Sequence, residues 1–454
     1  MGNVTEVAIA GAARALARPR AGRRIGLALV WVVVLGNAAG ILWLWANAGN
    51  LHPATAGEAL TSVARITGLL SAYLALVQVV LLARLPALEH LVGFDRLTVW
   101  HRWNGHATVD LVVAHVFFSV WGYALMDKFS IGKEISTMVW GGIYPGMIVA
   151  TIGTALLLAV VGTSYVIVRR RLRYEWWYAV HLLAYAGIAL GWFHQIPTGN
   201  ELVLDPVAAD YWRSLYAATL AILVLFRLVA PLVNAFRYRL RVAEVVEEGP
   251  GVVSVRMTGR RLDRLHANPG QFFQWRFLNR WWTAHPFSLS AAPDAGSLRI
   301  TVKALGDHSA SLASVPVGTR VLAEGPFGVF TDARCRTGKR LLVAGGIGIT
   351  PVRALVERPY ADDVVIYRAI ADEELVLRDE LDASGVRVHY VVGDHAAPGG
   401  ERLLSPEHLL ELVPDLAERD VYLCGPPGMT DAVLPRLRAA GVPRKHIHVE
   451  RFAL

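Results

Sequence analysis

Two apolar stretches of this chain carry histidines where a lipid-buried helix has little reason to hold them. Trp100–Trp121 contains His101 and His115, fourteen residues apart, and Tyr178–His194 contains His181 and His194, thirteen apart. Ionisable side chains inside a hydrocarbon layer are costly and mark pairing or function. At about 1.5 Å of rise per residue the separations are about 21 and 19.5 Å. One histidine of each stretch can therefore meet one of the other at each of two levels. Fourteen residues is four turns less about 40°, which puts His101 and His115 on one face. Thirteen residues leaves His181 and His194 well off a common face, so their helix is expected to be distorted or rotated. Neutral imidazole is an axial ligand of haem iron, and two per iron leave no open position, so such a haem passes electrons without binding oxygen at the metal. The four residues read as axial ligands of two b-type haems, His101 with His181 and His115 with His194. Buried or interfacial histidines are the plainer alternative, which suits a lone histidine better than four in register. Gly105 and Gly187 are expected to let a porphyrin approach the backbone, whereas His90 and His106 have no partner at a matching depth and His52 reads as solvated in an outer loop.

The rest of the first half supports a membrane setting. Mean hydropathy is +0.39 and 54% of residues are hydrophobic, with the apolar runs concentrated in residues 25–233. Six runs are long enough to cross a hydrocarbon core: about 25–46, 60–83, 102–125, 145–168, 176–194 and 213–234. The first is preceded by Arg14, Arg18, Arg20, Arg23 and Arg24 and is read as a retained helix rather than a cleaved signal. Those arginines, Arg84 with Arg96, the RRRLR run Arg169–Arg173, and Arg237, Arg239 and Arg241 all fall on one side of a six-span bundle. The positive-inside rule makes that side cytoplasmic, and with it both the N-terminus and the C-terminal half. The net charge of +8 is thus explained by topology, and no nucleic-acid partner is expected. Two cysteines, Cys335 and Cys424, exclude a disulfide framework or a cysteine-ligated cluster. Arg65 lies inside the second run near its outer end; it either snorkels to the surface or pairs with outer-haem propionates or an anionic acceptor.

Residues 237–336 alternate apolar and polar side chains in short runs punctuated by Gly and Pro, which predicts a small antiparallel β-barrel. Residues 337–454 alternate strand and helix patterns, which predicts an α/β nucleotide-binding domain. KRLLVAGGIGITPVRAL places a strand before a glycine turn and a helix start, the setting that suits a pyrophosphate. The turns Gly345–Pro351, Tyr367–Arg368 and Cys424–Met429 all follow strand ends, where such sheets bind ligands.

Taken together, these features resemble the ferric reductase and NADPH oxidase superfamily, a transmembrane di-haem domain of residues 1–236 with a ferredoxin-reductase-like module, and the resemblance extends over about residues 25–454. It implies that HPFS, His285, Pro286, Phe287 and Ser288, binds FAD, with Lys303, Gly306, Asp307 and Ser309 as a second flavin element. Gly345, Gly346, Gly348, Thr350 and Pro351 resemble the nucleotide pyrophosphate loop. Cys424, Gly425, Pro426 and Pro427 resemble the segment beside the nicotinamide, and Phe452 the aromatic residue near the flavin ring; Cys424 and Phe452 are thus the catalytic candidates. Arg368, at a strand end, is placed to meet a 2′-phosphate, which tilts the reading from NADH towards NADPH. The implied path runs from cytoplasmic NAD(P)H through FAD and the two haems to an acceptor outside the cell membrane. A ferric chelate is the leading acceptor; oxygen, giving superoxide, and a partner protein in the envelope are the alternatives. The oxidases often carry a histidine four residues beyond the outer ligand of span three, and this chain has Ser119 there, which weighs against the oxidase.

Overall fold

A computed structural model of the chain describes residues 3–165, 171–172, 174–280, 284–360 and 362–451. Arg169, Arg170 and Arg173 of the RRRLR run lie outside the described residues. The chain forms two compact units, Met1–Arg227 and Leu228–Leu454.

Six helices are long and apolar enough to cross a membrane: Arg24–Asn50, Ala56–Leu81, Arg96–Asp127, Met147–Ser164, Trp176–Thr198 and Pro206–Tyr238. The elements of the first unit are α1 (Asn3–Trp45), α2 (Ala56–Leu81), α3 (Pro86–Val92), α4 (Phe94–Asp127), α5 (Ile131–Trp140), α6 (Met147–Ser164), α7 (Tyr174–Thr198), α8 (Asn200–Leu204) and α9 (Pro206–Val224). Thr55 caps α2 by accepting the Glu58 amide, and Asp205 caps α9 ahead of Pro206. Small residues set the helix pairs. A Cβ on Gly122 of α4 would lie 2.9 Å from the Thr61 nitrogen and 3.0 Å from the Gly57 oxygen of α2, so backbones touch there. Gly187 of α7 likewise meets Gly153 and Leu157 of α6. Gly187 is therefore used for helix packing, and Gly105, whose Cβ would meet the Gln78 side chain, faces α2. Neither glycine offers the open backbone that the sequence led us to expect. Large apolar side chains such as Val32, Leu35, Trp43, Phe193 and Leu220 point outwards, the surface a lipid-facing bundle presents.

The second unit begins with the end of the last long helix, α10 (Ala230–Tyr238), and continues with six strands: β1 (Arg241–Gly249), β2 (Val252–Thr258), β3 (Phe272–Phe277), β4 (His285–Ser288), β5 (Ser297–Lys303) and β6 (Val321–Phe327). A one-turn helix, α11 (Asp307–Ser311), follows β5. The strands form two antiparallel sheets, β1-β2-β5 and β4-β3-β6, over a core that includes Val255, Met257, Phe273, Trp275 and Ile300. The antiparallel pairing expected here is present, but the sheets do not close into a barrel. Among the described residues their edges are joined by single bridges, Arg241 with Arg320 and Leu289 with Ile300, and by scattered backbone bonds such as Val242 N–H to the Thr319 carbonyl and Ser290 N–H to that of Arg299. The short β4 leaves too few backbone partners for a continuous ladder.

The remainder is a parallel sheet ordered β11-β10-β7-β8-β9, made of β7 (Arg340–Gly345), β8 (Val364–Ala369), β9 (Arg387–Val392), β10 (Asp420–Gly425) and β11 (Ile447–Arg451). Helices α12 (Ile349–Val356), α13 (Arg378–Asp382), α14 (Pro406–Leu412) and α15 (Pro427–Ala439) lie between the strands in sequence. Strands β7 and β10 are buried at every residue, as near-continuous apolar runs require in a sheet covered on both faces. The strand order reverses between β7 and β10, so the ligand crevice is expected at their carboxyl ends.

Candidate electron-transfer sites

The structure brings the four histidines together as two pairs. The rings of His101 and His181 are 6.0 Å apart between centroids and tilted by 52°; those of His115 and His194 are 6.3 Å apart and tilted by 37°. Helix α7 is continuous from Tyr174 to Thr198, so the thirteen-residue spacing needs no break in it. Two imidazoles bound to one metal through nitrogens at about 2.0 Å, with ring centroids about 1.15 Å beyond each nitrogen, have centroids about 6.3 Å apart. Both pairs fit that spacing.

Hydrogen bonds settle which nitrogen of each α4 histidine is available. His101 Nδ1 lies 3.2 Å from the Gln78 carbonyl oxygen, and His115 Nδ1 2.8 Å from that of Ala64, both on α2. A carbonyl only accepts, so each Nδ1 carries the proton and Nε2 keeps a lone pair, the arrangement of metal-ligating histidines. His181 Nδ1 lies 3.4 Å from Ser164 Oγ, and Trp177 packs on its ring at 5.0 Å. Gly68 allows the close approach of α2 to His115: a Cβ there would sit 2.6 Å from Nδ1. Gln78, Ala64, Ser164 and Gly68 were not singled out from the sequence. Among the described residues no group of three or more His, Cys, Asp or Glu is placed to hold a metal.

Arg65 neither reaches the surface alone nor stands unpaired. Its guanidinium donates to Asn50 Oδ1 at 2.9 Å, and Asn50 Nδ2 donates to Glu201 Oε1 at 2.8 Å. Asn50 and Glu201 are 6% and 3% exposed. The three residues form one polar chain, buried at Asn50 and Glu201 and half-buried at Arg65.

In the second unit, strand β4 is the HPFS segment. The Phe287 carbonyl accepts from Trp275 Nε1 at 2.9 Å, Ser288 is buried, and Pro286 is exposed. His285 stacks on His308 with centroids 3.9 Å apart and planes 18° apart. Ser309 Oγ accepts from the amides of Leu305 and Gly306 at 2.9 and 3.0 Å, which folds the turn around Asp307. Lys303 is paired with Glu374 at 3.3 Å. It lines a cleft of about 220 Å³ with Pro250, Val252, Gly346, Ile347 and Glu374.

The glycines after β7 do different jobs. A Cβ on Gly345 would strike Met429, and one on Gly348 the Cys424 carbonyl, so the first makes room for α15 and the second brings the turn after β7 against the end of β10. Gly346, at φ +50°, would meet nothing, and neither would Gly306 or Gly428, so the backbone is open at all three. Thr350 and Pro351 are buried at the start of α12, with Thr350 Oγ donating to the Ile347 carbonyl at 3.1 Å. Cys424 is fully buried at the end of β10, followed by Gly425 and by Pro426, the N-cap of α15. Arg368 is placed otherwise than expected. Its guanidinium donates to the carbonyls of Ala369 and Gly393 and, at 3.3 Å, of Val391. It ties β8 to β9, so a 2′-phosphate would compete with three carbonyls for it. Phe452 lies outside the described residues.

Comparison with known proteins covers both halves. The family described as ferric reductase like transmembrane component matches residues 67–192, an FAD-binding domain matches 238–331, and an oxidoreductase NAD-binding domain matches 342–434. The ferredoxin reductase component of 3-ketosteroid-9-alpha-monooxygenase from Mycolicibacterium smegmatis is 34% identical over 47% of this chain and 65% of its own length. Ferredoxin–NADP reductase B from Sorangium cellulosum is 30% identical over 37% of this chain and 77% of its own. This chain thus spans less than two thirds of the first relative. The solved structure of a ferredoxin reductase in carbazole 1,9a-dioxygenase aligns with a TM-score of 0.41 at 23% identity, over 48% of this chain and 69% of that one. The chain belongs to the ferric reductase and NADPH oxidase superfamily, with a ferric reductase like transmembrane component on the same polypeptide as FAD- and NAD-binding oxidoreductase domains.

Proposed function

We propose that this protein moves electrons from cytoplasmic NAD(P)H through FAD and two bis-histidine haems to an acceptor outside the cell membrane, and that the acceptor is a ferric chelate. The observation that carries the reading is the pair of imidazole couples at two levels of one helix bundle, each spaced for a six-coordinate iron. Haem held there supplies one-electron transfer, and FAD supplies hydride acceptance from the nicotinamide. His101 and His181 hold the level nearer the cytoplasm, and His115 and His194 the outer one. The Gln78 and Ala64 carbonyls fix the tautomer and the ring angle of the α4 ligands. Asn50 holds one nitrogen of Arg65, and its other donors are assigned to an anion at the outer level, a haem propionate first.

The cytoplasmic residues bind and orient. His285, Pro286, Phe287 and Ser288 are assigned to FAD, with Lys303, the open Gly306 amide, Asp307 and Ser309 at its phosphates. Gly346 and the Thr350–Pro351 helix start are assigned to the nucleotide diphosphate, Gly425 and Pro426 to the nicotinamide side, and Phe452 to the flavin ring. Burial, and then the Glu450 charge, pushes the Cys424 thiol well above its ordinary range. It stays protonated and serves as neutral packing. Both nicotinamide nucleotides remain substrates in this reading, because the carbonyls hold Arg368.

The test is to reduce the purified protein anaerobically with NADPH or NADH and then mix it with ferric citrate or with oxygen. Faster haem reoxidation by the chelate, at matched concentration, is the expected result. Faster reoxidation by oxygen with stoichiometric superoxide makes the protein an oxidase. Failure of both points to an envelope partner, and a preparation without a haem band overturns the reading.

A further inference from the structure

The connection between α4 and α6 contains a carboxylate in an unusual place. Glu134, on α5, is 0% exposed, and neither of its carboxylate oxygens has a hydrogen-bond partner. Burial raises its pKa, and the charge that acts on it is that of Asp127, which raises it further. Two tyrosines complete the surroundings. Tyr123 and Tyr144 meet edge to face with centroids 5.7 Å apart. Burial pushes the Tyr144 hydroxyl up to about 12, with Tyr123, Asp127 and Glu134 all adding to the shift. The charges of Asp127 and Glu134 thus both reach Tyr144, which meets Tyr123, with Glu134 buried and Asp127 exposed.

An unpaired buried carboxylate costs several kcal/mol unless it is neutralised or meets a cation. Four oxygen donors without nitrogen or sulfur suit a hard metal ion. The spot also adjoins the His115–His194 level. A Cβ on Gly146, two residues after Tyr144, would lie 2.6 Å from the Phe193 carbonyl and 3.0 Å from the His194 amide nitrogen. We infer that Glu134, Asp127, Tyr123 and Tyr144 form a binding site for a hard, oxygen-liganded metal cation beside the outer histidine pair, and that ferric ion delivered by a chelate occupies it. The identity of the occupant rests on the ferric reductase reading; the existence of the cation site does not. Neither Lys128 nor Lys133 competes for it: Lys128 is exposed at the end of α4, and Lys133 lies over the Phe129 ring at 3.6 Å.

The experiment uses the full chain in detergent and two probes. Terbium(III), a hard trivalent ion that does not oxidise haem, is titrated with tyrosine-sensitised emission as the readout, and ferric citrate is used in steady state. One saturable terbium site is expected, weakened at least tenfold by Glu134→Gln and by the exposed Asp127→Asn, with emission reduced in Tyr144→Phe. The KM for ferric citrate should rise in Glu134→Gln while the rate of haem reduction by NADPH holds. Terbium binding that is the same in Glu134→Gln and Asp127→Asn overturns the site. Glu134-dependent terbium binding in a protein that does not reduce ferric citrate keeps the site and removes ferric ion as its occupant. Ferric citrate reduction with a KM unchanged in both variants removes the occupant in the same way.

Discussion

Gly68→Ala tests the haem assignment at a residue that is not itself a ligand. The new Cβ would lie 2.6 Å from His115 Nδ1, 2.9 Å from Cε1 and 3.2 Å from Cγ, where ordinary contact begins at 3.4 Å. The ring must retreat by about 0.8 Å, the difference between 3.4 and 2.6 Å. Retreat stretches the 2.8 Å bond to the Ala64 carbonyl, which lies on the same helix as Gly68. Overpacking of this kind costs about 1–3 kcal/mol, and loss of the hydrogen bond about 0.5–1.5 kcal/mol. At about 1.4 kcal/mol per decade the sum weakens haem at the His115–His194 level by about ten- to a thousandfold. The His101–His181 level has its own support from Gln78 and should be spared. The assay is haem per flavin by the pyridine haemochrome method, with an expected fall from two towards about one. Gly105→Ala is the control, since its Cβ would meet the movable end of the Gln78 side chain at 2.9 Å, and it should keep both haems. Two haems per flavin in Gly68→Ala, with an unchanged spectrum, would refute the reasoning.

Two further predictions concern the second unit. Glu380 accepts two bonds from Arg299 of β5, at 2.7 and 2.8 Å, and a third contact from Arg353 of α12 at 2.5 Å, so it clamps the two antiparallel sheets to the nucleotide-binding part. Glu380→Gln leaves two partly buried guanidiniums short of a counter-charge and should cost about 1–3 kcal/mol, read as a lowered unfolding temperature of this unit; an unchanged temperature sinks the clamp. His308 is held down to about 4 by burial, then by His285 and Arg280. Its folded value lies below the ordinary value of about 6.5, so the unfolded chain binds more protons between those limits and stability falls as pH drops from about 6.5 towards 4. His308→Gln should flatten that acid limb of the thermal unfolding profile, and an identical limb in the variant would exclude His308 as its source.

What could be read in the sequence was whatever repeats with the period of an element. Six apolar runs gave six long helices, and histidines fourteen and thirteen residues apart gave two facing pairs, because depth along a helix follows residue count. The supports of those pairs were hidden for a physical reason. The acceptors of His101 and His115 are backbone carbonyls of Gln78 and Ala64, and a carbonyl has no letter in a sequence. Small residues are ambiguous in the same way. Gly68, Gly105 and Gly187 look alike on a helix, yet the first makes room for a histidine and the other two for a neighbouring helix, because a missing Cβ records closeness without recording to what. Strand patterns predicted the antiparallel pairing of residues 237–336, but closure depends on edge partners, and isolated bridges rather than a ladder span the gaps among the described residues.

Arg368 and Glu134 show two further limits of position in a sequence. Position alone put Arg368 at a strand end where a phosphate could be met, whereas its rotamer turns the guanidinium onto carbonyls of its own sheet. Glu134 belongs to a loop between spans where charge is usually solvated, and the packing of α5 buries it completely. A charged residue drawn away from its expected ligand by backbone acceptors costs the fold little. A buried carboxylate without a partner costs it several kcal/mol. Such a position is therefore the stronger indication that something outside the chain completes it.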